Sequence, residues 1–461
     1  MNTKSSLRIL QAVLLPGRQQ LCGQRPKIQR RYFRSSLIQQ TDGVYKALTE
    51  MRVRTPWIEA LRQSKEDKTQ NANVPSEPVK PDLTPKRMSD SHFKCVLPLA
   101  QDPWLLDTYA NSSGQIRLGT LLMDLDALSG VVAYKHTGEG VTTVTAAADR
   151  ITIKNQLHEI CDLELSGQVT FATGRSSMEV SLQIAKAPSN EAERVKEEDV
   201  FMTCAFTMVS LDPITKKPVN VAPLRLENDA ERQLYARGEE NYKSKKALKH
   251  SAITQRAPNA EESALLHKMW TDSLAFRDSF NPAQKPNNVS YMSKATVYSA
   301  QIMQPQYRNR HNFMIFGGYL LKQTFELAFT CAAAFSHTKP KFLSLDPSTF
   351  ENPVPVGSVL YLSAGVTFTE PDLNGGTRIQ VIVTTKVRNV EHKERKSTGT
   401  FFYTFHVDNN VRIMPQTYGE FMRWVDGRRR AQRVTASLKA NEEAGNTHDT
   451  VGTASTERVT E

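Results

Sequence analysis

The sequence predicts an α+β protein built from two copies of one domain, each a long helix packed on an antiparallel sheet. Three observations predict it. Sliding the chain over itself by 197 residues superimposes TIKNQLHEICDLELSGQVTF on TFENPVPVGSVLYLSAGVTF without a gap, and nine of the 23 positions from 149 to 171 are identical, from Asp149/Asp346 to Phe171/Phe368. Each copy contains one long stretch whose apolar residues recur at helical spacing. After each helix come runs in which apolar and polar residues alternate, and period two over several hairpin-spaced segments means an antiparallel sheet.

Read from the N-terminus, the 461-residue chain carries a net charge of +11, which taken alone would suggest a nucleic acid or an anionic membrane as partner. Its distribution argues otherwise. Residues 1–41 hold eight Lys and Arg and no acid, so this stretch accounts for +8 and the remaining chain for +3. An Arg-rich, Ser-containing, acid-free leader with short apolar runs reads as a mitochondrial presequence over 1–34, and no nucleic acid partner is expected. Residues 35–90, polar and Pro-rich from about Arg62, read as a flexible segment.

The first domain spans 91–211. Its loop Asn111-Ser-Ser-Gly114 leads to Gly119 and a helix in which Leu121, Leu125, Leu128 and Val132 form one stripe that must face a core. Between 212 and 289 lies a polar interdomain connector with helical composition over 226–249 and 260–274. The second domain spans 290–426, where Asn309 precedes Gly317-Gly318 and a helix whose Ala328 and Ala332 to Ala334 would let it lie close against a sheet. From 427 to 461 the chain is charged and aromatic-free, a disordered tail by this reading, with Arg428, Arg429 and Arg430 as a solvated run. Five cysteines without a CxxC pair argue against a zinc module and a disulfide scaffold. No apolar run is long enough to suggest a transmembrane segment.

These residues resemble a known family. A helix opened by Ile315-Phe316-Gly317-Gly318, preceded by Asn and followed by an antiparallel sheet, resembles the hotdog fold of acyl-coenzyme A thioesterases. The tandem copies, the phrase NPVPVGSVLYLSAGVTFT, the stretch IMPQTYGEFMRWVDG and a presequence are together similar to the mitochondrial acyl-coenzyme A thioesterase 9 group, over most of 88–426. The resemblance implies a tandem (double) hotdog that hydrolyses fatty acyl-coenzyme A to free fatty acid and coenzyme A. It implies no cofactor beyond the coenzyme A carried by the substrate, and no metal. It also implies a place in the mitochondrial matrix or peripheral to the inner membrane, and a homo-oligomer, a trimer of double-hotdog chains, by analogy with hexamers of single-copy relatives.

Physical chemistry points to particular residues. A helix N-terminus exposes unpaired N–H groups and partial positive charge, and glycine there lets an acyl carbonyl approach closely, so Gly119 and Gly318 are candidate oxyanion donors. Asp126 lies seven residues after Gly119, about 20° from it around the helix, and matches the acidic position of the family. It is the candidate general base or nucleophile. Asp124, about 200° away on the same helix, reads as a solvated surface acid. The second copy departs from the pattern: Phe325 stands seven residues after Gly318 and the acid, Glu326, comes one later. Its Asn309 stands nine residues before Gly318, whereas Asn111 stands eight before Gly119, so the second loop is one residue longer. In the family the site forms across the interface, which implies Asn309 with Asp126 and Asn111 with Glu326, the first as the stronger pair. His311 reads as a loop residue and His406 as a sheet residue. Two other readings stay open from the residues alone: a non-catalytic acyl-coenzyme A binding or assembly protein, and an enoyl-coenzyme A hydratase of the same fold.

Overall fold

The computed structural model describes residues 53–433 except 54, 71–80, 156, 158, 189–194, 251–252, 278–279, 281–282, 310–312, 373–374 and 391–393. The presequence expected over 1–34, His311 and the tail beyond 433 lie outside the described residues.

The first copy contributes strands β1 (Phe93–Leu97), β2 (Thr142–Ala148), β3 (Ile151–Ile153), β4 (Leu163–Ala172), β5 (Ser177–Lys186) and β6 (Val200–Leu211). The second contributes β7 (Thr296–Ile302), β8 (Lys341–Leu345), β9 (Ser348–Thr349), β10 (Val359–Pro371), β11 (Thr377–Arg388) and β12 (Arg395–Val407). All twelve join one antiparallel sheet in the order β7-β10-β11-β12-β8-β3-β6-β5-β4-β1, with β2 beside β6 and β9 beside β2. The copies meet where Leu345 pairs with Ile151 and Ser348 with Ala148. Equivalent residues flank this seam: the Asp149 N–H donates to Ala205 O at 2.8 Å, and the Asp346 N–H to Phe402 O at 2.9 Å. Joining the copies edge to edge satisfies backbone groups that a lone sheet would leave open.

Among the described residues the helices of seven residues or more are α1 (Trp57–Gln70), α2 (Pro103–Tyr109), α3 (Leu118–Thr137), α4 (Asp229–His250), α5 (Ala260–Ala275), α6 (Gly317–Ser336) and α7 (418–433). Helix α3 touches β1, β2, β4, β5 and β6, and α6 touches β7, β10, β11 and β12; each sheet half wraps its helix, the hotdog arrangement once per copy. The Leu121, Leu125, Leu128 and Val132 stripe is buried as expected, but Asp124, Asp126, Ser129 and His136 are buried too. Tyr109 of α2 covers Asp124, and His136 Nε2 lies 2.9 Å from the Ala222 carbonyl oxygen. Asp126 is covered by α6, which crosses α3 so closely that a Cβ on Gly318 would lie 2.7 Å from the Met123 carbonyl oxygen. Only glycine allows that approach.

The repeat extends beyond the strands. Tyr235 of α4 meets Phe171 edge-on with ring centroids 5.0 Å apart, and Trp424 of α7 meets Phe368 in the same way at 5.3 Å. A Cβ on Gly238 would lie 2.5 Å from the Phe171 Cβ, and one on Gly427 would lie 2.6 Å from the Phe368 Cβ. Even the first turns match: Glu231 accepts the Glu227 N–H at 2.7 Å and Glu420 accepts the Gln416 N–H at 2.7 Å. Helices α4 and α7 are the same element, packed on the β4 and β10 strands of their own copies.

Four expectations are corrected by the structure. The connector drawn over 212–289 contains a helix of the first copy, and the tail drawn from 427 begins inside α7. The segment drawn as flexible over 35–90 contains α1. The arginine run is not solvated: Arg428 and Arg429 pair with Glu261 and Glu262 in the first turn of α5 at 2.5 and 2.7 Å, and Arg430 pairs with Asp426 at 2.5 Å. The partners of Arg428 and Arg429 lie far away in the chain, so composition alone made that cluster look unpaired.

Candidate active site

Helix α6 starts without a side-chain cap, its N-cap Phe316 having no suitable group. The open N–H of Gly318 is taken by an acid from the other copy, donating to Asp126 Oδ2 at 2.5 Å. The Thr145 hydroxyl of β2 donates to the other oxygen, Oδ1, at 2.8 Å. A Cβ on Gly318 would lie 2.9 Å from the Asp126 Cβ, which the packing does not admit, and one on Gly317 would press on Asp126 Oδ2 at 3.2 Å. Asp126 is 4% exposed. Two hydrogen-bond donors and the partial positive charge of the helix terminus thus face this enclosed carboxyl group.

This acid borders a cavity of about 850 Å³ lined by both copies. Asn309, Met314, Ile315, Phe316 and Gly317 form one part of the wall, and Gly130, Val131, Val144, Thr145 and Met208 another. The Asn309 N–H is bonded to the Met314 carbonyl at 2.7 Å, which closes the loop and sets Asn309 on the wall with Asp126.

In the second set Glu326 meets Gly119, in a different environment. Glu326 faces Gly119, whose Cβ would lie 2.9 Å from Glu326 Oε1, but the Arg117 Nε donates to that same oxygen at 2.7 Å. The Glu326 side chain is 36% exposed. The Asn111 side-chain oxygen accepts the Ser113 and Gln115 N–H groups at 2.8 and 3.0 Å, so it serves its own turn. The loop length difference is real: the Asn111 N–H reaches the Gln115 carbonyl, whereas the Asn309 N–H reaches Met314.

What fills the second position is legible from the repeat. Both helices have 20 residues, and laid end on end they put Phe325 where Asp126 stands and Phe329 where Gly130 stands. In the sheets, Thr145 pairs with Met208 and Phe342 pairs with Phe405 at the matching register. Four cavity-lining residues of the first site are thus four phenylalanines in the second. Phe325 lies 5.4 Å from Phe342 and 6.1 Å from Phe405, and Phe329 lies 6.2 Å from Phe405, centroid to centroid. Rings at these distances pack as a core.

Asp124 is not the surface acid expected. It is fully buried, accepts the Tyr109 hydroxyl at 2.5 Å, and burial pushes its carboxyl up to about 7. Tyr109 of α2 covers that side of α3. His406 is a sheet residue, its Nδ1 3.1 Å from Asp372 Oδ2. Sequence reasoning missed Thr145, since one Thr in an alternating TTVT run carries no mark of facing an acid on another element. Among the described residues no cluster of His, Cys, Asp and Glu could hold a metal ion, and no helix is long and apolar enough to cross a membrane.

No protein-family model matches the chain. Mitochondrial acyl-coenzyme A thioesterase 9 of Bos taurus is 34% identical over 370 residues, 78% of this chain and 82% of that protein. The Homo sapiens protein of the same name is 34% identical over 75% of this chain and 78% of its own length. Mitochondrial acyl-coenzyme A thioesterase 10 of Mus musculus is 32% identical over 84% and 87%. Among solved structures, an acyl-CoA hydrolase from Staphylococcus aureus in complex with butyryl coenzyme A aligns with 35% of this chain and 99% of its own, at 20% identity and a TM-score of 0.31. With a third of its residues shared over more than three quarters of its length, the chain belongs to the acyl-coenzyme A thioesterase 9 and 10 family.

Proposed function

We propose that the chain hydrolyses fatty acyl-coenzyme A thioesters at one site, the cavity shared by Asp126 and Asn309. The observation that carries this is the Asp126 carboxylate of one copy held at the helix terminus of the other, on the wall of a largely apolar cavity. Asp126 takes a proton from water as the water oxygen attacks the thioester carbonyl carbon. Collapse of the tetrahedral intermediate breaks the carbon–sulfur bond, and the proton passes to the departing thiolate, giving free acid and coenzyme A. The Gly318 N–H is given to Asp126, so the first-turn N–H of α6 left to face the oxygen where negative charge develops is that of Gly317, which lines the cavity, and such a donor contributes on the order of 3 kcal/mol. The Asn309 amide holds the water or the carbonyl oxygen. Gly119, Asn111 and Glu326 form the lesser site, limited by the Arg117 ion pair and the four phenylalanines. The chemistry asks for no metal and no cofactor beyond the coenzyme A in the substrate.

In this reading the mature chain works in the mitochondrial matrix after loss of the leader, as a trimer of double-hotdog chains. The units are the two hotdog domains, with α4 and α7 on their outer faces. Purified protein incubated with acyl-coenzyme A of varied chain length and a thiol-detecting reagent tests the activity. Thiol release dependent on Asp126 is expected; none above background with any chain, or hydration of enoyl-coenzyme A without thiol release, would overturn it.

A further inference from the structure

Gly130 is a glycine inside a helix with no backbone reason to be one. It lies in α3 one turn beyond Asp126, its φ is not positive, and a Cβ built on it meets no atom within 4 Å. Glycine is disfavoured in helix interiors, and here neither a turn nor close packing asks for it. What it leaves is room, because Gly130 borders the cavity. The second copy shows the alternative at the same helical position, where Phe329 packs its ring 6.4 Å from Phe325 and 6.2 Å from Phe405.

We propose that the missing side chain of Gly130 sets how long an acyl chain the site admits. This rests on the reading of the cavity as the thioester site. The neighbouring wall favours an acyl chain over the pantetheine arm of coenzyme A, whose two amides need hydrogen-bond partners when buried. Val131, Val144 and Met208 offer none, the Tyr134 hydroxyl is engaged by the Thr143 N–H at 3.1 Å, and the Thr145 hydroxyl is given to Asp126. Against these side chains an apolar chain beside Gly130 loses least.

The test is a chain-length series on Gly130→Phe and Gly130→Ala, with thermal unfolding to confirm that both fold. For Gly130→Phe, kcat/KM for the longest chain the wild type accepts should fall relative to the shortest on the order of a hundredfold, since each lost methylene site discriminates strongly. Gly130→Ala should shift the same ratio far less. Should the Phe variant fail to fold, Gly130→Leu is read in the same way. A fall by one common factor at every chain length would place the pantetheine arm at Gly130 and overturn the proposal, as would an unchanged profile. Binding of acyl-coenzyme A thioethers, which cannot be hydrolysed, separates this from the activity itself. Wild-type affinity should rise with chain length and the Phe variant should lose that rise, even if no thiol were released from any thioester.

Discussion

The Gly318 N–H of the second copy is bonded to the Asp126 carboxylate of the first at 2.5 Å, so this acid and the helix terminus that binds it come from different halves of the chain. Asp126→Asn keeps the size and an acceptor for that N–H while removing the charge. Turnover should fall on the order of a hundredfold or more with the circular dichroism spectrum unchanged, and Glu326→Gln should cost far less. Loss of turnover in Glu326→Gln with a near-normal Asp126→Asn would reverse the assignment of the two sites.

Gly318→Ala puts a methyl group 2.7 Å from the Met123 carbonyl oxygen and 2.9 Å from the Asp126 Cβ. Both are far inside ordinary contact, so the two helices must part. Overpacking of this kind costs about 1–3 kcal/mol, read as a lower Tm, and it displaces the acid as well. Unfolding and turnover should decline together.

Asp124 gives a pH signature. Burial holds its carboxyl up to about 7, while in the unfolded chain it ionises near the ordinary value of about 4. Between those values the native state keeps a proton that the unfolded state has released, so this residue's contribution makes stability fall as pH rises through the window. Asp124→Asn cannot ionise and still accepts the Tyr109 hydroxyl. Relative to wild type its Tm should gain progressively from pH 4 to pH 8, and a difference constant across that range would refute the assignment.

The phenylalanine cluster should behave as core. Phe325→Ala removes a ring that touches Phe329, Phe342, Tyr403 and Phe405, at a cost of about 3–5 kcal/mol in unfolding free energy by denaturant titration. No rise in thiol release should accompany the new space, because Glu326 remains paired with Arg117.

Local pattern revealed much of this. The two copies, their helices and the Asn, Gly and acid positions follow from periodicity and self-comparison, and Glu326 announced its difference by falling one residue out of phase. What stayed hidden depends on partners distant in the chain. Asp124 has no mark of burial, since Tyr109 covers it from a separate helix. The likeness of α4 to α7 rests on an aromatic, a glycine and a first-turn Glu, too few identities to stand out among polar residues. Arg429 looked solvated because Glu262, which holds it, lies in another helix. Phe325 stands visibly where an acid belongs, but that it meets Phe342, Tyr403 and Phe405 follows only from the strand register.

The seam at which Leu345 pairs with Ile151 has an evolutionary consequence. In a dimer of identical subunits, every substitution is made twice, so a phenylalanine replacing the acid would close both sites at once. Covalent fusion of the halves removes that coupling. One site can drift into a hydrophobic buttress while its twin keeps the chemistry, and selection can then tune the stability of one half and the substrate range of the other through separate residues.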